Sequence, residues 1–99
     1  MILVIGTVRL EEGAFDRLLP AARTMMEETR KEDGCIAYTY SRDLVAPDVF
    51  HVTEKWRDRD ALAAHFETPH MKVWRAALGE VGLIERNLRA FESDEGDVV

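Results

Sequence analysis

HVTEKWRDRDALAAHFETPH, residues 51–70, decides the fold. Phe50, Val52, Glu54 and Trp56 alternate with His51, Thr53 and Lys55, the period-two pattern of a pleated strand. Asp58 then offers a side-chain oxygen to cap a helix. Leu62, His65 and Phe66 follow at spacings that share one helical face. The stretch therefore reads as the end of a strand, a sharp turn and a helix. Glu54 and Trp56 share one strand face, and His65 lies on the helix face that folds back over it. All three histidines of the chain are here.

On the N-terminal side, residues 2–10 form a first strand. Ile2, Val4, Val8 and Leu10 point one way, and Leu3, Ile5 and Thr7 the other. Both faces are apolar, so both need cover. Phe15, Leu18, Leu19, Ala22, Met25, Met26 and Thr29 make the stripe of a helix over residues 14–31. Pro20 lies toward its polar side, where a bend is expected. Gly34 ends the helix in a positive-φ turn. Residues 35–43 alternate again and make a second strand, and residues 49–56 return antiparallel to it after the Val45–Asp48 turn.

On the C-terminal side, Thr68 caps a further helix with Pro69 in its first turn. Met71, Trp74, Ala77 and Leu78 are its apolar stripe. Residues 83–91, LIERNLRAF, form the last strand, and its polar alternation suits an edge or a polar cavity wall. The order is β-α-β-β-α-β. This is an α+β, ferredoxin-like unit, a four-stranded antiparallel sheet with its helices on one face. Residues 1–92 form one domain, and residues 93–99 an acidic tail with little to bury. The open sheet face needs a second layer that 99 residues barely supply. A second copy of the chain is its natural source, so a homodimer is expected.

Apolar residues make up 46% of the chain, too many for disorder. The net charge is −6, with four negative charges on Glu92, Asp94, Glu95 and Asp97. The body is nearly balanced and has no basic stripe for phosphate backbones or anionic lipid. Neither nucleic acid nor a membrane is an expected partner. Cys35 is the single cysteine, so no internal disulfide forms. With no basic run before the apolar N-terminal segment, a cytoplasmic location is expected.

Two residues stand out chemically. Glu54, between Val52 and Trp56, should be desolvated and its carboxyl pushed up unless a partner offsets this. His65 is the partner expected for it, either as a tie between helix and strand or as a working acid–base pair. The two roles are compatible. A metal site is not expected. His65 and His70 are five apart, about 140° around an ideal helix, and Pro69 breaks the register between them. No CxxC, HExxH, P-loop, GxGxxG or GxSxG spacing occurs.

Glu54-x-Trp56, the charged turn, Ala61-Leu62, His65 and Thr68-Pro69-His70 together resemble the signature of the antibiotic biosynthesis monooxygenase family, with its small quinol-oxidising members closest in pattern. The resemblance implies a dimeric α+β barrel with one apolar pocket per subunit. It implies oxygenation of a small electron-rich aromatic substrate, a quinol or anthrone, by O2 without metal, haem or flavin. In that reading His65 is the base, Glu54 its orienter and Trp56 a stacking wall. Leu62, Phe66 and Trp74 line the pocket, and His70 sits at its mouth. The chain also departs from relatives. Val52 stands where polyketide-oxidising members carry Asn, Leu62 near their helix Tyr, and Gly6-Thr7 where haem-degrading members carry Asn. The same scaffold could serve an isomerase or dehydratase, a haem-degrading oxygenase, or a ligand-binding or structural dimer without turnover.

Overall fold

The computed structural model describes residues 1–99. Its elements are β1 (Ile2–Leu10), α1 (Ala14–Thr29), β2 (Cys35–Arg42), β3 (Val49–Trp56), α2 (Arg59–Phe66), α3 (Pro69–Glu80) and β4 (Leu83–Glu92). The strands form one antiparallel sheet in the order β2-β3-β1-β4. This is the ferredoxin-like architecture expected, with β2 and β4 at the edges.

Local chemistry sets the helix ends. Asp58 Oδ1 accepts the Ala61 N–H at 2.8 Å, and Thr68 Oγ1 accepts the Met71 N–H at 3.4 Å with Pro69 in the first turn. Each side-chain oxygen satisfies a backbone donor that lacks a partner within its helix. α1 begins after Gly13, without a side-chain cap. It continues through Pro20, which is solvent-exposed, and ends two residues earlier than its periodicity suggests. Gly34 takes φ 86° in the turn that follows, a conformation open to glycine at little steric cost.

One face of the sheet carries the core. Ile2, Val4, Val8 and Leu10 of β1 are buried with Tyr38, Phe50, Val52 and Trp56. Leu18, Ala22 and Met25 of α1, Ala61 and Leu62 of α2, and Met71 and Trp74 of α3 pack against them. The opposite face has no helix over it. Ile5 is 48% exposed and Phe91 50% exposed, and Leu3 pairs with Phe91 across β1 and β4. Both faces of β1 are apolar, as the sequence indicates, and within a single chain only one is covered. The tail is docked further than its composition suggests. The Ser93 N–H donates to Met1 O at 2.9 Å and the Met1 ammonium to Ser93 O at 3.1 Å, so the β1–β4 ladder runs on to Ser93. Residues 94–99 are exposed. No helix is long and apolar enough to cross a membrane.

Where β1 meets β4, Gly6 leaves no room for a side chain. A Cβ there would collide with the backbone carbonyl of Asn87, and backbone cannot swing aside as a flexible side chain can. Gly6→Ala should push β4 away from β1 and lower stability by about 1–3 kcal/mol. Chemical denaturation of the two proteins measures this; an unchanged midpoint would mean that β4 yields freely.

Candidate active site

A cavity of about 410 Å³ lies between the inner sheet face and α2, a size that suits a small organic ligand. β2 contributes Tyr38 and Tyr40, β3 contributes Glu54, and α2 contributes Leu62, His65 and Phe66. β4 closes one side with Arg86 and Leu88. Each comes from the inward parity of its strand or the apolar face of its helix. The wall is thus apolar with a few polar groups set into it.

Glu54 is only 5% exposed. Its Oε1 accepts the Trp56 indole N–H at 2.9 Å. Two residues apart on one strand, these side chains share a face, so the bond is local. Burial pushes the Glu54 carboxyl up to about 7, against the opposing pull of the Trp56 bond and of Arg86. Arg86 makes no salt bridge of its own. No buried side-chain nitrogen or oxygen in the protein lacks a partner. The second Glu54 oxygen, which has none, is therefore the one the cavity reaches.

His65 does not pair with Glu54, which corrects the expectation from the sequence. Its Nδ1 donates to Glu32 Oε2 at 2.7 Å. The same oxygen accepts from His70 Nε2, also at 2.7 Å. A carboxylate oxygen only accepts, so the proton sits on Nδ1 of His65, and Nε2 keeps its lone pair. By the same burial reasoning Nε2 faces the cavity. His65 is 1% exposed, and desolvation holds its pKa below the ordinary value although Glu32 pulls it up. It is a neutral, oriented acceptor. Its ring is fixed by Trp56 at 4.7 Å and Tyr38 at 5.3 Å between centroids.

Other candidates are placed differently from the sequence reading. Trp56 is fully buried. It lies behind the cavity wall as a support for Glu54 and His65, and the aromatic rings a ligand meets are Tyr38, Tyr40 and Phe66. Trp74 lines two smaller cavities, with Phe50 in each. His70 is outside the main cavity, beside an outer groove formed with Pro20, Thr24 and Val73. Leu62 and Phe66 line the cavity as expected. His51 faces the opposite side of the sheet, where its Nε2 meets Asp43 at 2.7 Å. The Cys35 thiol is pushed up by burial and by Glu32 and Glu54, the reverse of an activated nucleophile.

Glu32, Tyr40 and Arg86 are the site residues that the sequence reading missed or underrated. Glu32 stands in the turn after α1 and reaches His65 across 33 positions, so no short-range spacing reveals it. Arg86 was legible. It pairs with Val8 across the sheet, and Val8 faces inward. Glu32, His65 and His70 also bring three metal-ligating atoms within 4.8 Å of one another. This overturns the geometric ground for excluding a metal, because the turn at Thr68-Pro69 bends His70 back toward His65.

The sequence profile of the antibiotic biosynthesis monooxygenase family matches residues 1–77. Over 103 residues the chain is 31% identical to Escherichia coli YgiN, named a probable quinol monooxygenase, covering 93% of this chain and 97% of that one. It is 33% identical over 69 residues to an uncharacterized Synechocystis protein, which is 70% of this chain and 47% of that longer relative; the match thus spans about half of its length. A Deinococcus radiodurans structure provisionally named for the same family superposes with a TM-score of 0.90 at 27% identity, covering 100% of this chain and 98% of that one.

The raised carboxyl of Glu54 ties stability to pH. Between the ordinary carboxylate range and about 7, the folded chain holds a proton that the unfolded chain has released. Stability therefore falls as pH rises through that window. Glu54→Gln should melt close to the parent near about pH 4 and above it near about pH 8, by at most about 3 kcal/mol. Melting curves across this range test it. A parent–variant difference that stays constant with pH would show that Glu54 does not titrate there.

Proposed function

This chain belongs to the antibiotic biosynthesis monooxygenase family, and from that premise we propose that it oxygenates a small electron-rich aromatic, of quinol or anthrone type, with O2. The observation that carries this reading is the bond between His65 Nδ1 and Glu32 at the edge of the cavity. A neutral imidazole, held through Nδ1 by Glu32, turns its free nitrogen into an apolar cavity beside Tyr38, Tyr40 and Phe66.

In this mechanism the ring lies against the aromatic wall, and His65 Nε2 takes a phenolic proton. The resulting anion is electron-rich enough to reduce O2, and the largely apolar cavity holds the partners together. For a quinol, one oxygen atom enters the ring and the other leaves as water. The product is a hydroxyquinone, and the substrate supplies all four electrons. His65 and Glu54 return the protons that water formation needs. With its carboxyl near about 7, Glu54 is suited to either direction of transfer. It acts as a second acid–base group and no longer as the orienter of His65, a role that falls to Glu32. Arg86 favours the anionic states by its charge.

Oxygen uptake with a panel of quinols and anthrones tests the reading. A substrate should be found, and His65→Gln should lower its turnover by about 100-fold or more while the fold persists. Full turnover in a folded His65→Gln protein would move the base to Glu54. No uptake with any of the panel would favour a ligand-binding role without turnover.

The assembly belongs to the same proposal. Ile5 and Phe91, about half exposed on the helix-free face, suit a second copy packed sheet to sheet. Scattering should give twice the chain mass, and Phe91→Glu should shift it toward one. A parent protein that stays monomeric at micromolar concentration would sink the dimer.

A further inference from the structure

The catalytic reading leaves one group without a use. His70 does not line the main cavity, yet its Nε2 is held by the same Glu32 oxygen that orients His65. Orientation of His65 needs one hydrogen bond to one carboxylate. The second imidazole brings together two nitrogen donors and one oxygen donor from three separate segments: the turn after α1, α2, and the first turn of α3.

We propose that Glu32, His65 and His70 form a binding site for a divalent first-row transition metal ion, with His65 Nδ1, His70 Nε2 and Glu32 Oε2 as its protein ligands. The donor set is that of zinc and of related ions, two imidazoles and a carboxylate with remaining positions left for water. The site is built on firm supports. His65 is 1% exposed and its ring is packed against Trp56 and Tyr38, so one ligand is already in place. Glu32 and His70 are 12% and 17% exposed at their side chains. His70 opens onto the outer groove beside Pro20, Thr24 and Val73, which gives an ion a route in that avoids the substrate cavity.

The adjustment needed is local to three side chains. Ligand atoms at bonds of about 2.0–2.1 Å stand roughly 3.3 Å apart around a tetrahedral ion. The two O···N separations are now 2.7 Å, and the two nitrogens lie within 4.8 Å of each other. An ion would widen the first two and draw the nitrogens in. Glu32 lies in a turn, where its carboxylate can swing back by the few tenths of an ångström required. His70, at the start of α3 and 17% exposed at its side chain, has to supply the closure between the two nitrogens.

A metal on Nδ1 takes the place of the proton there, and the neutral ring then carries its single proton on Nε2 instead. His65 then offers the cavity a donor instead of a lone pair. The metal-bound and base-competent forms of His65 exclude each other, so an ion at this site would take His65 out of its catalytic form.

Zinc binding to the full chain, freed of metal by a chelator and titrated against a chromophoric zinc indicator, tests the site without any substrate. One Zn2+ per chain is expected. Glu32→Gln and His70→Gln should each weaken it at least as much as loss of an outer-sphere partner does, about 10–100-fold. His51→Ala, at the distant Asp43 pair, should not. Co2+ should give visible d–d absorption that changes in His70→Gln. Thermal melts of the apoproteins establish that the variants are folded. Absence of saturable binding up to millimolar Zn2+, or binding of equal strength in parent, Glu32→Gln and His70→Gln, overturns the proposal.

Discussion

Three helices cover one face of this sheet and none covers the other, and the rest of the molecule follows from that asymmetry. Every strand must sort its residues by parity, and the inner set must satisfy the helices above it. Val4 and Val8 of β1 and Phe50 and Val52 of β3 do so by packing. Glu54 occupies an inner position as well, so its carboxylate is drawn into the same dry layer. The cavity lies where the inner face between the eight-residue α2 and the β4 edge is left incompletely filled. Chemistry therefore collects where packing stops.

Two buried or half-buried carboxylates serve this region, and their surroundings divide the work. Glu54 has only an indole N–H and the distant charge of Arg86 to offset desolvation. Its ionised form is under-supported, and this is what brings it into the range where protons come and go near neutrality. Glu32 is held by two imidazoles through one oxygen. Its task is directional, since it fixes which nitrogen of His65 carries the proton. Placing two like groups in unlike settings is a common way to obtain distinct roles from one residue type.

Much of this was legible in the sequence, and the boundary of legibility is physical. Strand parity depends on adjacent residues, so the inward set of β3 and the outer-face position of His51 could be read directly. Caps depend on three residues, and Asp58 and Thr68 were read correctly. The partner of His65 depends on a turn 33 positions away, and the facing of strand and helix alone pointed to Glu54 instead. Parity gives a face without a depth, and this is why Trp56 was taken for a cavity wall when it lies behind one. The two-sided apolar character of β1 was legible, but what covers its outer side is not a property of one chain.

The hydrogen bond from Trp56 to Glu54 has an optical side. Indole emission responds to a charge at its N–H and to a nearby imidazole, and Trp56 has both, with a carboxylate oxygen at 2.9 Å and the His65 ring at 4.7 Å. The protein thus carries its own fluorophore at the back of the cavity. Proton movement at Glu54 and the arrival of a ligand beside it should be visible as changes in emission, with no label added.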